Sequence, residues 1–189
     1  MIPLSFNSLS PGNNIPETVN VIIEVPKGSN IKYRIDVETG FLFVGRKLPS
    51  SMFYPYNYGF IPKTRDTNGD ALDIFVIDDD ECSIQPLSLL EANPIGVLLT
   101  EDEDGNDSKI IAIPTTETDL TNSTFTNLID IPSSTINKIE HFILHQKDLV
   151  EEKHIRIKGW QDKSFSKRLI VEAIDRYNLD TGFINSLLS

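Results

Sequence analysis

The sequence predicts an α+β protein that is mainly β, a small closed or nearly closed β-barrel with two C-terminal helices packed outside it. Two observations carry that expectation. Short stretches with period-two alternation, or brief apolar runs, fill the chain from Val19 to Pro114, whereas apolar residues at helical spacing appear only after Pro132. Strands first and helices last argue against alternating βαβ units, and many short strands with no internal repeat favour a barrel. The 189 residues suffice for one domain with a real core and are too few for two comfortable ones, so residues 1–189 are read as a single unit.

Residues 1–18, prominent in Ser, Pro, Gly and Asn, read as an arm draped over that unit. From Val19 to Val25 the residues alternate, with Val19, Val21, Ile23 and Val25 on one face and Asn20, Ile22 and Glu24 on the other, which predicts a half-buried strand. Pro26-Lys27-Gly28-Ser29 is a turn. Ile31 to Asp36 alternates again, placing Ile31, Tyr33 and Ile35 inward and Lys32, Arg34 and Asp36 together on the opposite face. Glu38-Thr39-Gly40 signals a hairpin, and Phe41 to Arg46 is the returning strand.

Met52 to Phe60 is too rich in aromatics and turn-formers to predict a regular element. Ile74–Ile77, Ile95–Leu99 and Lys109–Pro114 are further strands, the last two joined through an acidic hairpin tip from Glu101 to Asp107. Ile136, Ile139 and Ile143, with Phe142 beside them, make one helical stripe. Phe165, Leu169, Ile170, Ala173, Ile174 and Tyr177 make a second, and Ile155–Ile157 is a short strand between the two.

Composition excludes several classes of function. No segment approaches the roughly 20 apolar residues that span a bilayer, and Met1 to Phe6 lacks the basic start and apolar block of a secretory leader. The single cysteine, Cys82, excludes an intrachain disulfide and a cysteine-built metal site, so a cytoplasmic location is expected. A formal charge of −11, from 17 basic and 28 acidic residues, opposes binding to nucleic acid and to anionic membranes. It permits a small anionic substrate wherever cations cluster locally.

The chemistry concentrates in Asn68-Gly69-Asp70-Ala71-Leu72-Asp73, which runs into the apolar strand at Ile74. Two carboxylates and an amide lie within six residues around a glycine, a turn whose oxygen donors suit a hard cation such as Mg²⁺ better than zinc or copper. A solvated turn entering a strand would look the same, so the company it keeps decides. Asp102 and Asp107 flank a second glycine turn, and Asp107 and Lys109 share a face if the strand begins there. Lys32 and Arg46 stand on the polar faces of successive strands, and Lys147 follows the first helical stripe. Singly, each such charge reads as a solvated surface group.

Together these residues form recognisable strings. Val21-Ile22-Ile23-Glu24-Val25-Pro26, Ile31-Lys32-Tyr33, Phe43-Val44-Gly45-Arg46 and Met52-Phe53-Tyr54-Pro55-x-Asn57-Tyr58-Gly59 occur in that order. They are followed by Gly69-Asp70-x-Leu72-Asp73, Pro94 to Leu98, Asp107-x-Lys109, His141-Phe142, His145-x-Lys147-Asp148-Leu149 and Gly159-Trp160. From about Pro11 to about Tyr177 the chain resembles the family I soluble inorganic pyrophosphatases.

That resemblance implies a five-stranded OB-like barrel, several Mg²⁺ ions (with Mn²⁺ as a substitute), and hydrolysis of pyrophosphate to two phosphates. It also implies a homo-oligomer, a hexamer in the bacterial and archaeal members. On the matching positions it makes Asp73, Asp102 and Asp107 metal ligands, with Glu24 acting close by, and Asp70 the acceptor of the proton from the attacking water. Lys32, Arg46, Tyr58, Lys109 and Lys147 become phosphate-binding residues, supported by Tyr54.

Four positions depart from the family pattern. Asn68 stands in place of a metal-binding carboxylate and keeps an oxygen donor without its charge. Ala71 replaces a proline. Arg34 replaces a glutamate near the metals, and Gln146 replaces a phosphate-binding tyrosine. An altered but active enzyme is expected; the alternative is a catalytically silent relative that binds phosphate or pyrophosphate, or serves as an oligomer subunit. Asp66 offers itself as a substitute for the carboxylate missing at Asn68. His141 and His145, four apart on a helix, read as an oligomer contact, Asp78 to Glu81 as a solvated loop, and Cys82 as an inert thiol.

Overall fold

The computed structural model describes residues 9–36, 40–78, 83–103, 105–115 and 125–187, with side chains as far as residue 181. Its strands are β1 (Val19–Val25), β2 (Ile31–Ile35), β3 (Leu42–Lys47), β4 (Asn57–Phe60), β5 (Asp73–Val76), β6 (Leu89–Asp102), β7 (Gly105–Pro114) and β8 (Arg156–Asp162). Helix α1 spans Ser133–His145 and α2 spans Lys163–Leu187. Five strands close a ring in the order β1-β4-β5-β7-β6, because β6 pairs back onto β1 from Val19↔Ala92 to Ile22↔Leu89. All pairings in the ring are antiparallel except β5–β7. The mainly-β barrel with two helices is therefore as expected, and β8 extends the sheet along the rest of the β6 edge.

The apolar runs are explained by burial on both strand faces. In β5, Phe75 packs with Ile139, Phe142 and Ile143 of α1, while Ile74 and Val76 pack with Ile170 and Ala173 of α2. In β7, Ile111 and Ile113 face the first cluster and Ile110 and Ala112 the second. Fully buried side chains such as Phe75 and Phe142 each contribute about 1.5–3 kcal/mol relative to exposure. The arm meets the second cluster through Ile15, and Glu17 pairs with Lys167 of α2.

Four details differ from expectation. Asn57–Phe60 is a regular strand, not an irregular segment, because Gly59 allows β4 to close on β1: a Cβ at Gly59 would lie 1.9 Å from the Ile22 carbonyl oxygen. Ile31, Tyr33 and Ile35 are only half-buried, since β2 and β3 form a separate two-stranded sheet standing off the barrel. β6 runs 14 residues where Ile95–Leu99 was expected, and β8 runs on to Asp162. The hairpin signal at Glu38-Thr39 lies outside the described residues, as do Asp79 to Glu81 and Cys82.

Candidate active site

A cleft of about 490 Å³ opens where the β2–β3 hairpin, the loop before β5, the β6–β7 hairpin and the C-terminal end of α1 converge. Every residue singled out from the sequence as catalytic, metal-binding, substrate-binding or supporting lines it, except Glu24. The hairpin supplies Lys32, Arg34 and Arg46. The loop supplies Asn68 and Asp70, and β5 begins at Asp73. Asp102, Asp107 and Lys109 come from β6 and β7, Gln146 and Lys147 from just beyond α1, and Tyr54 and Tyr58 form the floor.

Two register relationships create most of this geometry. In the parallel β5–β7 pair Asp73 stands beside Lys109, and the lysine Nζ lies 2.5 Å from Asp73 Oδ2 while also bonding Asp107 Oδ1. Two carboxylates therefore converge on one ammonium. In the β2–β3 hairpin Lys32 stands directly opposite Arg46. Like charges facing each other across strands are unfavourable unless an anion lies between them. Gly45 keeps the hairpin close-packed, since a Cβ there would meet the Lys32 carbonyl oxygen at 3.0 Å and Arg34 Cγ at 3.1 Å.

Six cationic and four carboxylate side chains line the cleft, a formal surplus of two positive charges in a chain of net charge −11. Lys147 Nζ bonds Asp102 Oδ2 at 2.8 Å, tying the end of α1 to the β6–β7 hairpin. Tyr58 donates its hydroxyl to Asp73 Oδ2, and its ring packs 5.3 Å from Tyr54 and 4.8 Å from Phe75. Tyr54 in turn packs 4.6 Å from Phe142. Lys32 Nζ lies 5.5 Å from the centroid of the Tyr58 ring.

Burial and neighbouring charge set the protonation states. Burial raises both tyrosines above their ordinary values, so their hydroxyls stay neutral donors. Burial also works against ionised Asp73, but Lys109 and Lys32 outweigh it and hold that carboxyl below the usual range. Asp107 is raised, burial outweighing the pull of Lys109. Burial disfavours the charge on Lys109, yet Asp73 and Asp107 together raise it. Glu24, half-buried on β1 behind the cleft, is pushed up to about 7 by burial, against the pull of Lys32 and reinforced by Asp73.

Among the described residues no three His, Cys, Asp or Glu side chains already form a metal cage. The donors present still fit a hard divalent cation: all are oxygens, and Asp73 and Asp107 already converge on one positive charge. Mg²⁺ characteristically takes one or two carboxylates, keeps waters and shares a phosphate ligand, and so needs no complete protein cage.

The loop makes one correction. Asp66 does not replace the carboxylate missing at Asn68: it is buried away from the cleft, and its Oδ2 accepts the Ser108 backbone N–H at 3.2 Å. His141 and His145 lie outside the cleft, exposed, with ring centroids 4.6 Å apart and His145 Nδ1 2.7 Å from Asp148 Oδ2. Asp78 is buried rather than solvated, accepting from Asn57 Nδ2 at 3.3 Å. Sequence reasoning missed Thr100, whose hydroxyl donates to the Asp107 carbonyl, and Lys153, which lines the cleft and bonds Glu103 Oε1 at 2.5 Å. The strand alternation around Asp102 points to Thr100; nothing local points to Lys153.

The family model described as inorganic pyrophosphatase matches residues 21–178. An inorganic pyrophosphatase of Sulfolobus acidocaldarius is 46% identical over 168 residues, covering 89% of this chain and 96% of the relative. One from Agrobacterium fabrum is 41% identical over 178 residues, covering 92% and 98%. Among solved structures, the inorganic pyrophosphatase of Thermus thermophilus matches with a TM-score of 0.86 at 34% identity, covering 92% of this chain and 99% of that one. A structure from Anaplasma phagocytophilum titled inorganic phosphatase matches with a TM-score of 0.85 at 39% identity, covering 90% and 99%.

Proposed function

The chain belongs to the inorganic pyrophosphatase family and hydrolyses inorganic pyrophosphate to two phosphates, and from that premise we propose how its cleft divides the work. The single observation that carries the division is the pairing of Lys32 with Arg46 on the β2–β3 hairpin, which lines the cleft together with Asp70, Asp73, Asp102 and Asp107. The hairpin contributes only cations, while the remaining elements interleave the carboxylates with Lys109 and Lys147.

Asp73, Asp102 and Asp107 hold divalent ions, Mg²⁺ by preference and Mn²⁺ as a substitute, with Glu24 behind them and Asn68 contributing an uncharged oxygen. When bound, such ions neutralise the substrate and lower the pKa of water. Lys32, Arg46, Lys109 and Lys147 bind phosphate oxygens and take up charge on the leaving phosphate. Tyr58, kept neutral by burial, donates a hydrogen bond, and Gln146 offers its amide from a buried position. Tyr54 props Tyr58, while Arg34 adds a cation where the family carries an acid. Asp70, exposed at the lip of the cleft, accepts the proton of the attacking water.

Residues 1–189 act as one catalytic unit with residues 1–18 as its arm. The chain works in the cytoplasm as a homohexamer in which His141 and His145 meet a neighbouring subunit, and it engages neither nucleic acid nor membrane. No helix among the described residues is long and apolar enough to cross a membrane.

Phosphate release from pyrophosphate in excess Mg²⁺ tests the catalytic division directly. The Asp70→Asn variant should lose about 10²–10⁴-fold in kcat, the range typical of a removed general base. Undiminished turnover in that variant would remove Asp70 from the role. Elution of the native protein at a monomer's volume at low micromolar concentration would exclude the hexamer.

A further inference from the structure

Given Asp70 as the proton acceptor, we propose that Asp66, with Arg176 of α2 as its charge partner, is a positioning residue that holds the Asp70 loop in register with β7. Asp70 and Asn68 are both exposed, so their placement depends on how the backbone of their loop is fastened. Asp66 does most of that fastening, from a position only 5% exposed and outside the cleft.

Its backbone N–H donates to the Asp70 carbonyl at 2.7 Å, and its own carbonyl accepts the Gly69 N–H at 3.1 Å. Its side chain faces the other way. Oδ1 accepts the Thr67 N–H at 2.7 Å, and Oδ2 accepts the N–H of Ser108, the residue between Asp107 and Lys109. One residue thus closes the turn that carries the base and binds that turn to the strand presenting a metal carboxylate and a phosphate-binding lysine.

A carboxylate this deep needs compensating charge as well as hydrogen bonds. Arg176 supplies it: Nη1 lies 3.7 Å from Asp66 Oδ1 and donates to the Arg65 carbonyl at 2.7 Å. The loop is fastened to α2 a second time by Arg65, whose backbone N–H donates to the Ala173 carbonyl at 2.9 Å. Its side chain pairs with Asp180 at 2.8 Å and donates to the Gly69 carbonyl at 3.0 Å. None of the described side chains of helix α2 lines the cleft, yet the helix sets where the base stands. Displacing a reacting group by about 1 Å costs on the order of 10²-fold in rate, so this fastening bears on kcat more than on substrate affinity.

The test is steady-state phosphate release in excess Mg²⁺ for Asp66→Ala, Asp66→Asn, Arg176→Ala and Arg176→Lys, alone and, for the Asp66 variants, combined with Asp70→Asn. Asp66→Ala should lower kcat by roughly 10–100-fold with KM within about threefold. Arg176→Ala should lower kcat by several-fold, and Arg176→Lys, which keeps the positive charge beside Asp66, should recover part of the loss. Because Asp66 acts through Asp70, adding Asp66→Ala to Asp70→Asn should change the residual turnover by less than about threefold. Should Asp66→Ala fail to fold, Asp66→Asn preserves the shape and one acceptor, and should show the same non-additivity with a smaller loss. Full kcat in a folded Asp66 variant beside an inactive Asp70→Asn would overturn the role of Asp66 and leave Asp70 standing. So would independent multiplication of the two losses. Full turnover in Asp70→Asn would instead remove the base, and the positioning role with it.

Discussion

The side-chain oxygen of Asn68 accepts the backbone N–H of Asp70 at 3.0 Å. The amide oxygen is therefore shared with the turn and brings no charge to a cation, whereas an aspartate could keep that bond and offer a second, charged oxygen. Across the cleft Arg34 adds a positive charge to the same surroundings. The two departures act in one direction, weakening cation binding while favouring anions.

Reversing them should reverse the balance. Asn68→Asp is expected to lower the Mg²⁺ concentration for half-maximal turnover about fivefold, corresponding to roughly 1 kcal/mol of added attraction at a partly solvated site. Adding Arg34→Glu should lower it further. A titration of turnover against Mg²⁺ measures both, and an unchanged midpoint in the double variant would contradict the expectation.

Lys109 is the counter-charge for Asp73 and Asp107 when no divalent ion is present. Lys109→Met should cost about 1–3 kcal/mol in urea unfolding with chelator present, since it leaves two half-buried carboxylates without their cation. Mg²⁺ should restore more stability to this variant than to the native chain, because the ion replaces the lost charge. Equal Mg²⁺ stabilisation of both would show that the carboxylates do not share the cation.

Glu24 gives a pH signature with a definite sign. Its folded-state value of about 7 lies above the 4.5 of the unfolded chain, so the folded protein holds a proton that the unfolded chain has released. Its contribution is fully present below about pH 4.5 and is lost as the pH rises towards 7. In chelator, Glu24→Gln should melt above the native protein at pH 7.5 and level with it at pH 4. The opposite order at pH 7.5 would refute the assignment.

The barrel and both helices were legible because their signals are local: alternation in β1, doubly buried runs in β5 and β7, and a 3.6-residue stripe in α1. β4 was not, because the Asn, Pro and Gly in and around it normally signal turns. Here Gly59 serves a different purpose, removing a side chain where two backbones touch. The cleft was legible only as a set of scattered charges. That Lys147 meets Asp102 across 45 positions, or that Asp66 turns its carboxylate to Ser108, depends on strand register that no short window contains.

Gly59→Ala should accordingly be among the most damaging small substitutions in the chain. The added methyl meets a carbonyl oxygen of the neighbouring strand, which cannot rotate away as a flexible side chain could. A loss of at least about 3 kcal/mol, or failure to accumulate folded protein, is expected. Denaturant midpoints compared with an alanine at exposed Gly69 would check it, since nothing lies within 4 Å of a Cβ there and only its positive φ is strained.

Strand β6 spends one edge on two partners in succession, β1 at residues 89–92 and β8 at residues 96–101, and changes register against β7 between Pro94 and Gly96. Detaching β1 there would unseal the barrel, while detaching β8 would leave it sealed. Amide protons along the two halves of a single strand should therefore exchange with solvent on separate clocks, the β8-facing half released by a smaller, local opening and the β1-facing half only when the whole molecule comes apart.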